Sequence, residues 1–255
     1  MTSNRYRLLS FDRQMGIGVA GATQVTVSAV AKTNTESAPY CVPNELICAE
    51  IGRFLRLPVP PCGLVLHQQD RTNPWFASMD FNLTGNSLPP VDPMRCMTDL
   101  PVECTGLLLF DVLVGNCDRH RGNLAVDSSA NPPRMSIFDH SHALFGYETG
   151  KGKDRLERLR DRLGVSGGSQ SRGNRHCLLD AISTDEYFGR WFLRIEGLPD
   201  YLIEGLCLDT TDVGASEEEA QEATRFLKHR RTNIRAIIKN NQNEFRGIKT
   251  WRLFQ

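Results

Sequence analysis

Asp118, His120 and Asn123 fall within six residues of one another, and Asp139 follows after two short β-patterned pieces. An aspartate can orient an acceptor hydroxyl, and an amide with a second carboxylate are hard oxygen ligands of the kind Mg²⁺ takes. That set of side chains suits phosphoryl transfer. The β-patterned pieces, residues 124–127 and 135–138, are separated by a turn rich in Ser, Asn and Pro. Paired as a hairpin, they would return Asn123 and Asp139 to one place. Upstream, glycines stand at 16, 18 and 21 between two strand-like stretches, where backbone without a Cβ can approach a phosphate. Lys32 closes the second of those stretches, and Glu45 lies near the start of the next helix. A glycine turn, a cation, a helix carboxylate, a base and two metal ligands follow one another in the order a nucleotide-dependent phosphotransfer cleft needs.

These side chains need elements to hold them. Residues 5–11 and 25–32 read as antiparallel strands. Pro43 opens a predicted helix over 43–57, in which Ile47, Ile51, Phe54 and Leu55 keep helical spacing. Two further strands are expected at 64–67 and 75–79. Residues 82–101 hold four of the thirteen prolines and little periodicity, which marks a connector. Residues 103–114 are apolar nearly all round, as a buried helix is, and Gly115 breaks them. Helices are expected at 154–163, 178–182 and 187–195. Ser216 with Glu219 forms a capping box for a long last helix ending near 239. The expected plan is α+β and two-lobed, like a protein kinase. It has a β-rich N-lobe with one helix (1–81), a hinge or connector (82–101) and a mainly helical C-lobe (102–255), with the site in the cleft.

Composition narrows the class. The 255 residues suffice for an ample core, and 30 basic against 30 acidic side chains leave a formal charge of zero. That balance gives no general case for nucleic acid or an anionic membrane surface as partner. No apolar run approaches the ~20 residues of a membrane span, and the first residues do not resemble a signal peptide. Eight cysteines without a CxxC pair, several inside apolar patterns, fit reduced thiols and a cytoplasmic setting.

The Asp118-to-Asn123 interval equals the Asp-x-x-x-x-Asn interval of kinase catalytic loops. The local order is Asp118-Arg119-His120 instead of His-Arg-Asp, and Asp139-His140-Ser141 stands where Asp-Phe-Gly would. CVPNELICAEIGRFLRLPVPP, VLVGNCDRHRGN and MSIFDH together resemble the HipA-like kinases. These are bacterial serine/threonine kinases with a catalytic core related to the phosphatidylinositol 3/4-kinases. GVAGATQ is similar to their phosphate loop, and FASMDF stands where their hinge binds adenine. The similarity runs from about residue 16 to 146 and weakly through the last helix.

The resemblance implies ATP and Mg²⁺ as cofactors and a protein serine or threonine as acceptor. It implies that Gly18, Gly21, Ala22 and Thr23 cradle phosphates and that Lys32 binds them with Glu45 in support. Ser78, Met79, Asp80 and Phe81 would border adenine. Asp118 would act as base, His120 would tie its loop down by a hydrogen bond, and Asn123 and Asp139 would hold Mg²⁺. Glu50 is a fallback for Glu45, and Thr23 and Ser28 are candidates for self-phosphorylation. The toxin–antitoxin members of the family also leave room for a neutralising partner protein. The chain is much shorter than the full HipA kinases, and its phosphate loop lacks a lysine that HipA carries. Three rivals stay open: a lipid or small-molecule kinase, a catalytically silent nucleotide-binding protein, and a Zn²⁺ hydrolase. The hydrolase would use Cys117, His120, His140 and His142 with Asp118 and Asp139, leaving Lys32, Glu45 and the glycine turn without a purpose.

Overall fold

A computed structural model of the chain describes residues 6–15, 21–66, 73–82, 90–166 and 175–254. Its first strands form where β-branched and aromatic residues cluster. β1 (Leu8–Gln14) pairs antiparallel with β2 (Thr23–Val27), and every residue of both is exposed. The single strand expected over 25–32 is split at Ser28. Its N–H donates to Arg7 O, and its carbonyl accepts from Asp80 N–H, both at 2.9 Å. One residue thus hands the chain from the first sheet to the second. There β3 (Ala29–Lys32) and β4 (Cys62–Val65) flank β5 (Trp75–Met79), all antiparallel.

Helix α1 (Cys41–Phe54) lies against this sheet, with Val42 and Ala49 packed on Phe76. It starts two residues before Pro43, which a first turn tolerates because its N–H groups have no helical partner. Ile47, Cys48, Ile51 and Leu55 turn the other way, into the main core, which also holds the later helices. α1 is therefore wedged between the sheet and the helical part of the chain.

The described part of the connector, residues 90–101, carries a helix despite its prolines. α2 (Pro93–Asp99) begins on an Asp92 side chain that accepts from Met94 N–H at 3.0 Å, and α3 (Pro101–Val114) starts two residues earlier than expected. Pro93 and Pro101 serve as first-turn residues of helices. α3 is buried from Cys104 to Val114 and ends at Gly115, whose φ of 63° is the left-handed cap that glycine adopts cheaply. The expected hairpin follows: β6 (Leu124–Asp127) pairs with β7 (Arg134–Ile137), Leu124 opposite Ile137.

α4 (Gly152–Leu159), α5 (Phe188–Glu196), α6 (Asp200–Asp209) and α7 (Glu217–Asn240) complete seven α-helices among the described residues, a mixed α/β architecture with small sheets. The helix expected at 178–182 is a set of turns, and α6 has no counterpart in the sequence reading. Both hydrogen bonds of the capping box form at the start of α7. Arg230 on α7 is fully buried and spends its guanidinium on carbonyls at the ends of α3 and α4, Leu159 O at 2.5 Å and Arg162 O at 2.7 Å among them. Burial pulls its pKa down to about 9, and the carbonyl dipoles take the place of a counter-ion. No helix of the described residues is long and apolar enough to cross a membrane.

Candidate functional site

Lys32, the last residue of β3, reaches across to two carboxylates from distant parts of the chain. Its Nζ lies 2.6 Å from Glu45 Oε1 on α1 and 2.8 Å from Asp139 Oδ1 after β7. Glu45 is 3% exposed, and its second oxygen meets His140 Nδ1 at 3.2 Å. Burial pushes Glu45 upward, but His140 and Lys32 outweigh it and hold the carboxyl below its ordinary value. Asp139 is likewise pushed up by burial and pulled down further by Lys32 and Ser141, to about 2. Burial alone would lower Lys32; Glu45 and Asp139 reverse the sign and raise it. Glu50 pairs with Arg53 at 2.8 Å instead and takes no part.

The three charged groups border a cavity of about 370 Å³. Val30, Val59, Phe76, Ile137 and Phe138 make its apolar wall, and Ser78, Met79, Asp80, Phe81 and Asn82 line its rim at the exit of β5. A greasy slot with a cation and carboxylates at one end suits a flat heterocycle carrying charge. Met79 N–H and Asp80 N–H are committed to Pro61 O and Ser28 O, at 2.8 and 2.9 Å. Ser28 Oγ donates to Asp80 Oδ2 at 3.0 Å.

The loop from 116 to 123 is held from beneath. Arg119, with no exposure, donates through Nε to Asp111 Oδ2 at 2.8 Å. Its Nη1 donates to the carbonyls of Asn123 and Phe138, each at 2.5 Å. One guanidinium thus ties together the residue at 123 and the residue before Asp139. His176 Nε2 and Asn116 Nδ2 also contact Asp111, at 3.0 Å each, and Asp111 is held well below the carboxylate range although burial opposes this. Asp139 itself has φ 62°, a left-handed backbone that Asp tolerates at a cost of ~1 kcal/mol. The Arg119 anchor and a 2.7 Å hydrogen bond from Ser141 Oγ to Asp139 Oδ1 hold it there.

Asn123 is buried, and its Nδ2 donates to Asp118 O at 3.0 Å, which leaves the oxygen end of the amide for a cation. An amide oxygen and a carboxylate are the hard donors that Mg²⁺ takes, so the residue types at 123 and 139 suit that ion; Asp139 borders the cavity and Asn123 is not part of its wall. Among the described residues, no group of three or more His, Cys, Asp and Glu is placed to hold a metal ion. His140 faces Glu45, and the His142 ring packs on Tyr147 at 5.5 Å.

Asp118 is half-buried, with its carbonyl accepting from His120 N–H at 2.9 Å, and it is not part of the cavity wall. His120 is exposed, and its Nδ1 accepts from Gly122 N–H at 3.0 Å. Gly21, Ala22 and Thr23 are exposed at the β1–β2 turn, outside the cavity wall; Gly16 and Gly18 lie outside the described residues.

No family model matches the sequence, and no curated protein matches it. Solved structures do. The chain is similar to the Helicobacter pylori proinflammatory kinase CtkA, with a TM-score of 0.56 and 17% identity over 85% of this chain and 90% of that one. The two chains share a fold. A weaker likeness is to the Shewanella oneidensis MR-1 toxin HipA in its complex with HipB and operator DNA. There the TM-score is 0.43 and identity 13%, and 90% of this chain spans 62% of that one. The CtkA likeness concerns the fold, and the HipA-like resemblance rests on the sequence motifs alone.

Sequence reasoning gave no role to the groups that hold the site without touching the cavity, Asp111, Arg119, His176 and Asn44; Asn44 and Arg119 entered it only as parts of motifs. One signal was available. Asp111 interrupts the apolar run LLLFDVLV, and an acid there has to find a buried cation.

Proposed function

We propose that the chain is an ATP- and Mg²⁺-dependent kinase of the HipA-like kind, transferring the γ-phosphate to a protein serine or threonine. The observation that carries this reading is the Lys32 ammonium held between Glu45 and Asp139 at the polar end of an apolar slot. In the reading, residues up to about 81 act as the N-lobe, 82–101 as the connector and 102–255 as the C-lobe. Purine would lie between Val30 and the Ile137–Phe138 pair. With Met79 and Asp80 N–H groups already used, Phe81 is the natural backbone partner for its edge. Lys32 would grip the α- and β-phosphates, with Glu45 and His140 fixing its position. Asn123 and Asp139 would hold Mg²⁺, which when bound neutralises charge between the β- and γ-phosphates.

Asp118 would orient the acceptor hydroxyl and accept its proton as the oxygen bonds to the γ-phosphorus, while the bond from that phosphorus to the β–γ bridging oxygen breaks and ADP leaves. His120 would act on its own loop, through Gly122, and not on the proton. Gly18, Gly21, Ala22 and Thr23 would contact the phosphates, as the similarity of GVAGATQ to the phosphate loop implies.

The test is transfer from γ-labelled ATP to a general protein acceptor and to the chain itself, with lipid and small-molecule acceptors run alongside. Asp118→Ala and Asp139→Ala are expected to lose transfer by at least ~10³-fold, Asp118→Ala with the wild-type melting profile and Asp139→Ala folded but with a lower melting temperature, because Asp139 is an ion-pair partner of Lys32. Wild-type turnover in either variant overturns the assignment. ATP binding without transfer to any acceptor would make the chain a silent nucleotide binder.

A further inference from the structure

Asn44 stands next to Glu45 on α1 and has no exposure to solvent. Its amide makes three hydrogen bonds, all to the backbone of one distant segment. Nδ2 donates to Ser141 O at 2.7 Å and Gly146 O at 3.3 Å, and Oδ1 accepts from Phe145 N–H at 3.1 Å. That segment begins at Asp139. A single side chain on the helix bearing one carboxylate partner of Lys32 is therefore fastened to the backbone bearing the other.

Two further groups hold the same end of α1. Asn34 Oδ1 accepts from Val42 N–H at 2.8 Å while its Nδ2 donates to Val213 O at 2.6 Å. The Tyr40 hydroxyl donates to Glu219 and accepts from Gly150 N–H at 2.8 Å. Both contacts reach the helical part of the chain, so the helix is clamped along its first turn.

We propose that Asn44 is a positioning residue that fixes α1 against the 139–146 segment, setting the Lys32–Glu45 pair and Asp139 at one separation before nucleotide arrives. The inference rests on the reading of the cleft as a MgATP site. Any slide of α1 relative to that segment breaks all three amide bonds together, and the buried amide finds no water in exchange. The helix therefore has one seat. Lys32 and Glu45 hold the phosphates from one side and Asp139 holds them through the cation from the other, so loosening the seat spoils the match between the two. A misplacement on the order of 1 Å costs up to ~10²-fold at such a site. Metal-free nucleotide, which does not use Asp139, should hardly notice.

The experiment is equilibrium binding of a fluorescent ATP analogue to the full chain, once with Mg²⁺ and once with EDTA. Wild type is expected to bind more tightly with Mg²⁺. Asn44→Ser is expected to lose about tenfold of that gain while its affinity in EDTA stays within about twofold. Asp185→Ala, which removes a buried carboxylate that accepts from Arg252 N–H and Leu253 N–H at 2.7 Å each and is not part of the cavity wall, serves as the destabilised control and should keep the whole gain. Full retention of the Mg²⁺ gain in Asn44→Ser, or its equal loss in Asp185→Ala, overturns the proposal while leaving the kinase reading intact. Failure of wild type to bind MgATP overturns the reading beneath it. Should Asn44→Ser not fold, hydrogen exchange on nucleotide-free wild type decides: the Phe145 amide should be as protected as the amides of α3, and exchange at open-loop rates refutes the clamp.

Discussion

Lys32→Met separates a structural claim from the functional one, because its effect on stability needs no ligand. Methionine keeps the length and apolar stem of the side chain and removes only the charge. Glu45, 3% exposed, would be left with His140 as its one close partner at 3.2 Å. Breaking a fully buried ion pair by deleting one member costs about 3–5 kcal/mol, since the other charge remains desolvated. Lys32 is 30% exposed, so solvent screens part of the attraction, and roughly 2 kcal/mol is the expected loss. With a urea slope of about 3 kcal/mol/M, the midpoint should fall by about 0.7 M.

The sign of the pH dependence follows from the same pair. The folded-state pKa of Glu45 is held below its ordinary value of 4.5, so its contribution is complete above that value and lost as pH falls through the lower, folded one. The gap between wild type and Lys32→Met should therefore be widest near neutral pH and close as the solution is acidified. Lys32→Met combined with Glu45→Gln should recover more than half of the loss, because the stranded charge is gone. Urea unfolding followed by tryptophan fluorescence measures all four members of the cycle. A Lys32→Met midpoint equal to wild type, or a double variant no better than the single one, would mean that Glu45 is not held by Lys32 in solution.

Three other substitutions test the frame around the cleft. Alanine usually stabilises a helix over glycine by ~1 kcal/mol, yet Gly106→Ala should destabilise by ~1–3 kcal/mol, read as a lower melting temperature. Its Cβ would fall 2.1 Å from the Trp191 ring, which is pinned by an Nε1–H bond to Val102 O at 2.8 Å. Arg119→Lys should cost about 3 kcal/mol in urea unfolding, because an ammonium cannot bridge Asp111 and the two carbonyls that the planar fork holds. It should also lower single-turnover transfer, whereas a stability loss without a transfer loss would detach that network from the site. Ser216→Ala should lose about 1 kcal/mol by thermal melting, since its Oγ accepts from Glu219 N–H at 3.2 Å and donates to Glu219 Oε2 at 3.1 Å.

Features written in local patterns were legible in the sequence. The β6–β7 hairpin follows from period-two alternation around a turn, and the cap of α7 follows from Ser216 and Glu219 three residues apart. Residue types named the cleft: Lys32, Glu45 and Asp139 do meet, although no rule of spacing gave their separations. Features decided by distant backbone were not legible. Ser28 splits a strand because Arg7 and Asp80 lie on either side of it, and β propensity says nothing of either. Asn44 looks like an ordinary first-turn polar residue until the chain brings residues 141–146 to it, about a hundred positions on. α2 was hidden by its prolines, although Asp92-Pro93 is itself a cap followed by a first-turn residue.

Charge balance in the cleft bears on what can enter it. Lys32 is raised, Asp139 lies at about 2 and Glu45 is held below its ordinary value, so all three are ionised at neutral pH. One cation against two carboxylates leaves a net charge of −1 within hydrogen-bond distance of Lys32, in a half-enclosed pocket where charges are weakly screened. A polyphosphate entering alone would compete with Glu45 and Asp139 for a single ammonium and meet net repulsion. In the proposed reading the carboxylate at 139 would become an asset, since the two positive charges of a divalent cation would reverse the local balance and leave Lys32 to the phosphates. The buried groups keep this arrangement from relaxing: Arg119 holds the backbone on one side of Asp139, Asn44 holds it on the other, and neither can follow a departing lysine. A cleft whose negative charge is fixed in place and whose one lysine, among the described residues that line it, is already shared would favour the metal-bound form of a phosphate ligand over the metal-free form.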